Sequence, residues 1–394
     1  MSDLNDTSTH QSVTSAPLLD VGRGNAPLKA EIMELISDIY DSGWFVGGPH
    51  VKQLEESVAE ATGAKFAIGC ASGSDALLVA LMTLGIGEGD RVICPSFTFF
   101  ATASAITRLG AEPVFVDIDP ATFNLDIQKV EQAITPKTKA IIPVHLFGQC
   151  ADMTGIMELA TKYSLKVVED CAQSIGATHG GQGSGSFGDV GCFSFYPTKN
   201  LGGMGDGGML TTNDQETADR LRLFANHGMK PRYFHQVIGV NSRLDAIQAA
   251  ILNVKMKHLN TYASRRQENA ANYHRLMKQH GISEMVSAPS STEGNDHVWN
   301  QFTIRITGGQ RDTVRNQLAE KNVGSEIYYP IPLHEQACFK YLGYSKGSLP
   351  VTEQAAAEVL SLPIFPELTL AEQEYTVECL AEIMVSSGQV SRAA

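Results

Sequence analysis

A regular alternation of short β-rich runs and helical patterns, from Leu18 to about residue 255, constrains this chain most. The β-rich runs are Lys65–Cys70, Arg91–Cys94, Glu112–Asp117, Ala140–His145, Lys166–Asp170 and Val190–Phe195. Helical patterns separate them at Ala76–Leu84, Ala101–Leu109, Ile127–Ala133 and Met153–Tyr163. Alternation on this scale predicts βαβ units: an α/β fold with a mostly parallel sheet and helices on both faces. Such sheets bind ligands at the carboxyl ends of their strands, so residues just after each run are the candidates for chemistry.

Arg243–Arg275 reads as one or two long helices leaving this first domain. Beyond it, Gln301–Arg305, a helix near Asp312–Lys321, Gly324–Tyr329 and a last helix Leu370–Met384 predict a smaller C-terminal α/β domain. The expected organisation is a disordered polar tail at 1–17, a large domain at 18–265 and a small domain at 266–394.

The 394 residues carry 43 acids against 30 bases, a net charge of −13. No cluster of Lys and Arg forms a basic stripe, which argues against nucleic acid as a partner. No secretory signal and no membrane-spanning run is legible. The seven cysteines are widely spaced, without CxxC, which argues for reduced thiols in a cytoplasmic protein and against a disulfide frame or a metal site. Two GxGxxG matches, Gly183–Gly188 and Gly203–Gly208, lead into strand-like runs and not into helices. A dinucleotide fingerprint needs a helix there, so these glycines read as turns and close approaches.

The chemistry concentrates elsewhere. Val167–Gly176, VVEDCAQSIG, ends a β-branched strand in two acids, Glu169 and Asp170, which point to opposite faces. A buried acid needs a partner; alone it reads as a cap or a salt bridge. Twenty-nine residues after Asp170, Lys199 opens a Gly-rich loop after another strand. It is either an exposed turn lysine or a Schiff-base lysine facing an electron-sink cofactor. Pyridoxal phosphate needs such a lysine, plus an acid at its pyridine nitrogen. Gly69–Gly85 offers a small-residue turn at Ser72, Gly73 and Ser74 before a helix start, which suits the phosphate as well as an ordinary N-cap. Phe97, Phe99 and Phe100 follow a strand end, where one can stack on a flat ring and the others fill the core.

The blocks SGSDAL, PSFTF, EDCAQ, SFYPTKNLG, NSRLDAIQAA and YYPIPLH, in this order, resemble the DegT-type family of nucleotide-sugar aminotransferases, fold type I pyridoxal-phosphate enzymes. The resemblance runs from Leu18 to the C-terminus. It implies Lys199 as the Schiff-base lysine, Asp170 at the pyridine nitrogen, Phe99 stacked on the ring, Ala172 against its face and Gln173 at its hydroxyl. It also implies phosphate contacts from Gly73, Ser74 and Ser194, and a homodimer with a shared site that Asn241 completes from the partner chain. Arg243, Tyr328, Tyr329 and His334 are implied to meet the substrate, a nucleotide-linked keto-sugar, with L-glutamate as amino donor. Asp206-Gly207-Gly208 stands where many relatives have Glu-Gly-Gly, a variant that resembles members acting on 3-oxo sugars. The alternatives are a 4-oxo substrate, another fold type I activity such as a lyase or racemase, and a regulator that binds the cofactor without catalysis.

Overall fold

Seven strands build the central sheet of the computed structural model, which describes residues 13–386. They are β1 (Phe66–Cys70), β2 (Arg91–Pro95), β3 (Glu112–Val116), β4 (Thr138–Ile141), β5 (Lys166–Asp170), β6 (Val190–Ser194) and β7 (Gly208–Thr212). Their spatial order is β1-β7-β6-β5-β4-β2-β3. The five strands from β6 to β3 are parallel, as the alternation predicts. β7 runs antiparallel to both β6 and β1. The β6–β7 connection contains no crossover helix, so the chain turns back beside its own strand.

Successive side chains of the central strands feed two cores, as the two-residue period of a strand requires. Val92, Cys94, Ala140, Ile142 and Val168 join the cluster under helices α3 (Gly73–Thr83), α4 (Phe100–Arg108) and α6 (Gln215–Ala225). Ile93, Val114, Ile141 and Val167 join the opposite cluster, against α5 (Met153–Tyr163). Near the β1 edge, α1 (Lys29–Ser42) and α2 (Pro49–Thr62) pack on α7 (Ala246–Met256).

The smaller unit is an antiparallel sheet of β8 (Val286–Ser287), β9 (Phe302–Ile306) and β10 (Val359–Leu362), covered by α9 (Arg311–Glu320) and α10 (Leu370–Ser386). One continuous helix, α8 (Leu259–Gln279), enters both units. Leu259 packs into the large core, whereas Ala270, Tyr273, Leu276 and Met277 lie in the small one. The expected boundary near residue 265 thus falls inside a helix.

Two expectations change. Gly324–Tyr329 is not a ladder strand; one isolated bridge joins Glu326 to Ser361. The chain turns at Tyr329, φ 59°, into Pro330-Ile331-Pro332, and proline cannot donate to a ladder. Of the expected tail, residues 1–12 lie outside the described residues. Ala16 is fully buried and bridged to Val323, so the segment entering Leu18 is docked on the small domain. All seven cysteines are free, and only Cys338 is exposed.

Candidate active site

Asp170 ends β5 at the carboxyl edge of the sheet, and Lys199 lies in the β6–β7 loop next to it. Burial is the main influence on both. It raises the Asp170 carboxyl above its usual range and lowers the Lys199 amine below its own. A smaller effect is mutual: each charge favours the other's ionised form, as nearby opposite charges must. The Asp170 carboxylate is held at both oxygens. Thr102 Oγ1 donates to Oδ2 at 2.8 Å, and the Ala172 N–H donates to Oδ1 at 3.2 Å.

The expected phosphate contacts converge. Ser72 caps α3, its Oγ accepting from the Asp75 N–H at 3.1 Å, and Gly73 and Ser74 supply the first helical N–H groups. Gly73 lies so close to β6 that a Cβ there would sit 2.7 Å from Ser194 Cβ. A side chain would close the cradle that the helix start and Ser194 form. A helix terminus, a buried acid and a half-buried lysine together are the donor set that a phosphorylated pyridine aldehyde requires.

Phe99 precedes α4, one turn before Thr102, with 60% of its surface exposed, whereas Phe97 is buried against Phe123, Phe147 and Tyr329. Gln173 is fixed by two bonds: Oε1 accepts from the Phe147 N–H at 2.6 Å, and Nε2 donates to the Tyr329 hydroxyl at 3.0 Å. One amide hydrogen remains. Tyr328 lines a cavity with Thr198, Asn300 and Gln301.

Three further candidates are Asn241, Arg243 and His334. Asn241 is exposed, while its neighbour Ser242 is buried and accepts from the Ala71 N–H. Arg243 is exposed and donates to Asn226 at 3.2 Å. His334 is held within the fold. Its ring is fully buried, with Nδ1 2.7 Å from Ser96 Oγ and Nε2 3.3 Å from Glu353 Oε1. Both ring nitrogens are engaged inside the protein, where this histidine braces a loop.

Glu169 points away from Asp170 into the other face, and it is where the first GxGxxG match belongs. The Gly183–Gly188 loop wraps its carboxylate: Phe187 and Gly188 N–H groups donate to Oε1, and the Gly185 N–H donates to Oε2, each at 2.8 Å. His145 supplies the fourth bond, 2.9 Å to Oε2. The Ala151 N–H donates to His145 Nδ1, so the ring proton sits on Nε2. Cys171 lies within metal-ligand reach of this pair. With four donors in place, the carboxylate offers a cation nothing further. No spacing rule exposes this arrangement; the glycines of Gly183–Gly188 were its only trace.

The sheet order, the lysine loop and the facing acid define an aminotransferase of the fold type I class. The model of the DegT/DnrJ/EryC1/StrS aminotransferase family matches residues 27–381, and the chain belongs to that family. It is 49% identical over 368 residues to a pleiotropic regulatory protein of Geobacillus stearothermophilus, covering 93% of this chain and 98% of that one. It is 48% identical over 355 residues to a UDP-N-acetyl-3-dehydro-alpha-D-glucosamine 3-aminotransferase of Acidithiobacillus ferrooxidans, covering 90% and 94%. Among solved structures, DesV of S. venezuelae in complex with a ketimine intermediate superposes with a TM-score of 0.90 at 39% identity, over 94% of this chain and 99% of that one. NtdA of Bacillus subtilis with bound cofactor PMP gives 0.88 at 34%, over 95% and 86%.

Proposed function

We propose that this chain is a pyridoxal-phosphate aminotransferase that converts a nucleotide-linked 3-oxo sugar to the amino sugar, with L-glutamate as donor. The observation that carries the reading is the electrostatic interaction of Lys199 with Asp170, at the strand ends where Gly73 and Ser194 form a cradle. The bound cofactor of NtdA and the 3-aminotransferase name of the Acidithiobacillus relative support it. So does Asp206-Gly207-Gly208 in the loop after Lys199.

Bound through the Lys199 amine, the cofactor supplies an electron sink and an amino-group carrier. The protein supplies the rest. Gly73, Ser74 and Ser194 hold the phosphate. Asp170 keeps a proton on the ring nitrogen, which sustains the sink. Phe99 offers one face to the ring, Ala172 lies towards the other, and the free N–H of Gln173 serves the ring hydroxyl. Burial disfavours the charged form of Lys199, so the released amine can take a proton from the substrate carbon and return it one position away. Tyr328 and Tyr329 form part of the sugar wall. The sugar's pyrophosphate needs placed cations on an acidic chain, and Arg243 with Lys230 and Arg232 are the candidates.

A homodimer fits this reading. Asn241 is exposed on its own chain, and the phosphate contact proposed for it comes from Asn241 of the partner subunit. Trp44, Phe45 and Val46, bridged beside Asp245, are exposed, as are Phe234 and Ile238. Apolar surface of this kind marks an interface. A regulator reading draws on the names of two relatives, the Geobacillus pleiotropic regulatory protein and the sensory transduction protein EryC1 of Saccharopolyspora erythraea; it leaves the Lys199–Asp170 pairing without a purpose.

The test is direct. Purified protein is incubated with L-glutamate and a panel of 3-oxo and 4-oxo sugar nucleotides, and products are read by mass. Amination of a 3-oxo sugar is the expected result. Faster amination of a 4-oxo sugar corrects the substrate, and no amination of any sugar overturns the proposal.

A further inference from the structure

Asp170 is gripped by a side chain that no motif identifies. Thr102 lies on the first turns of α4, fully buried, with its hydroxyl 2.8 Å from Asp170 Oδ2. One turn earlier, Thr98 is also buried, and its Oγ1 is 3.2 Å from Thr102 Oγ1. The direction of this chain follows from chemistry. An ionised carboxylate only accepts, so the Thr102 hydroxyl donates to it. Thr102 has a single proton, so its oxygen is left to accept from Thr98. The order is therefore Thr98 to Thr102 to Asp170, each bond polarising the next.

We infer that Thr102, backed by Thr98, is a positioning residue that holds Asp170 ionised and aimed at the cofactor's ring nitrogen. The inference rests on the role proposed for Asp170. With Oδ1 on the Ala172 N–H and one lone pair of Oδ2 on Thr102, the remaining acceptor directions are fixed. A hydrogen bond to the charged form stabilises that form. It counters burial, the main influence raising the Asp170 carboxyl. The other groups facing this carboxylate are Lys199 and His145, which favour its charge, and the Cys171, Cys192 and Tyr329 protons, which its charge holds in place.

Removing the Thr102 bond moves the shared proton from the ring nitrogen towards Asp170. A less protonated ring withdraws fewer electrons, so the nitrogen that Lys199 contributes becomes more basic. The cofactor-loaded full chain then titrates, by visible absorbance, at higher pH.

The experiment compares Thr102→Val, Thr102→Ser, Thr98→Val and Asp170→Asn with the wild type. It reads the pH midpoint of the absorbance, the cofactor Kd and the rate of amino transfer from L-glutamate. Thr102→Val is expected to raise the midpoint and slow the transfer roughly tenfold, the low end for a bond to a charged group. Thr102→Ser is expected to restore both, and Thr98→Val to give a smaller change in the same direction. Should Asp170→Asn shift the midpoint while Thr102→Val matches the wild type, the threonine inference fails and the role of Asp170 stands. Should Asp170→Asn itself leave midpoint and rate unchanged, the role of Asp170 falls. If Thr102→Val fails to load cofactor, Thr98→Val and Thr102→Ser decide. A wild-type midpoint in Thr98→Val removes the relay, and a raised midpoint in Thr102→Ser assigns the effect to packing.

Discussion

Replacing Glu169 by glutamine changes one atom and is expected to destabilise the fold severely. The carboxylate is fully buried and surrounded by donors alone. An amide must put its NH2 group at one of the two oxygen positions. At Oε1 it meets the N–H groups of Phe187 and Gly188; at Oε2 it meets the Gly185 N–H and His145 Nε2. The histidine cannot escape by moving its proton to Nδ1, because the Ala151 N–H already occupies that nitrogen. Either orientation strands two buried donors. Each costs about 1–3 kcal/mol, so the loss is roughly 2–6 kcal/mol. Chemical denaturation followed by circular dichroism measures it, with Glu131→Gln as the control. Glu131 is an exposed partner of Lys162, and its replacement should leave the midpoint where it is. An unchanged midpoint in Glu169→Gln would refute the four-donor account.

Four further outcomes are expected. Lys199→Ala abolishes turnover and the visible absorbance of the loaded enzyme; a spectrum and rate like those of the wild type remove its assignment. Asp170→Asn lowers the rate far more than cofactor occupancy, by at least tenfold, as titration of bound cofactor against initial velocity will show. Mixing Lys199→Ala and Asn241→Ala proteins under subunit exchange regenerates activity, since hybrid dimers hold one intact shared site; no recovery argues that each chain works alone. His297 is buried and stacked on Trp299 at 3.8 Å, and burial holds its imidazole down to about 3. The unfolded chain binds a proton below about pH 6.5 that the folded chain refuses, so stability falls as pH drops from there towards 3, by up to about 5 kcal/mol. Denaturation midpoints against pH should flatten over that window in His297→Asn.

The parts of the site that were legible in sequence are those fixed by local spacing. Asp170 closes a β-branched run, Lys199 follows the next strand, and Gly73 opens a helix; each position is set by its own segment. What stayed hidden depends on contacts across long separations. Ser96 and His334 are 238 residues apart in sequence and 2.7 Å apart in space, a brace that no local pattern announces. Thr102 reads as an ordinary helix residue until β5 is laid beside α4. The Gly183–Gly188 backbone cradles an anion of the protein's own, the Glu169 carboxylate, 14 or more residues upstream. Gly324–Tyr329 carried strand composition, but Pro330 and Pro332 end it in a turn.

The helix Leu259–Gln279 anchors in both hydrophobic cores, and this has a mechanical consequence. Neither half can melt without pulling apart a rod that the other half is gripping. Heating should therefore produce one calorimetric peak and not two, and severing the backbone at residue 265 should yield fragments that cannot hold themselves together.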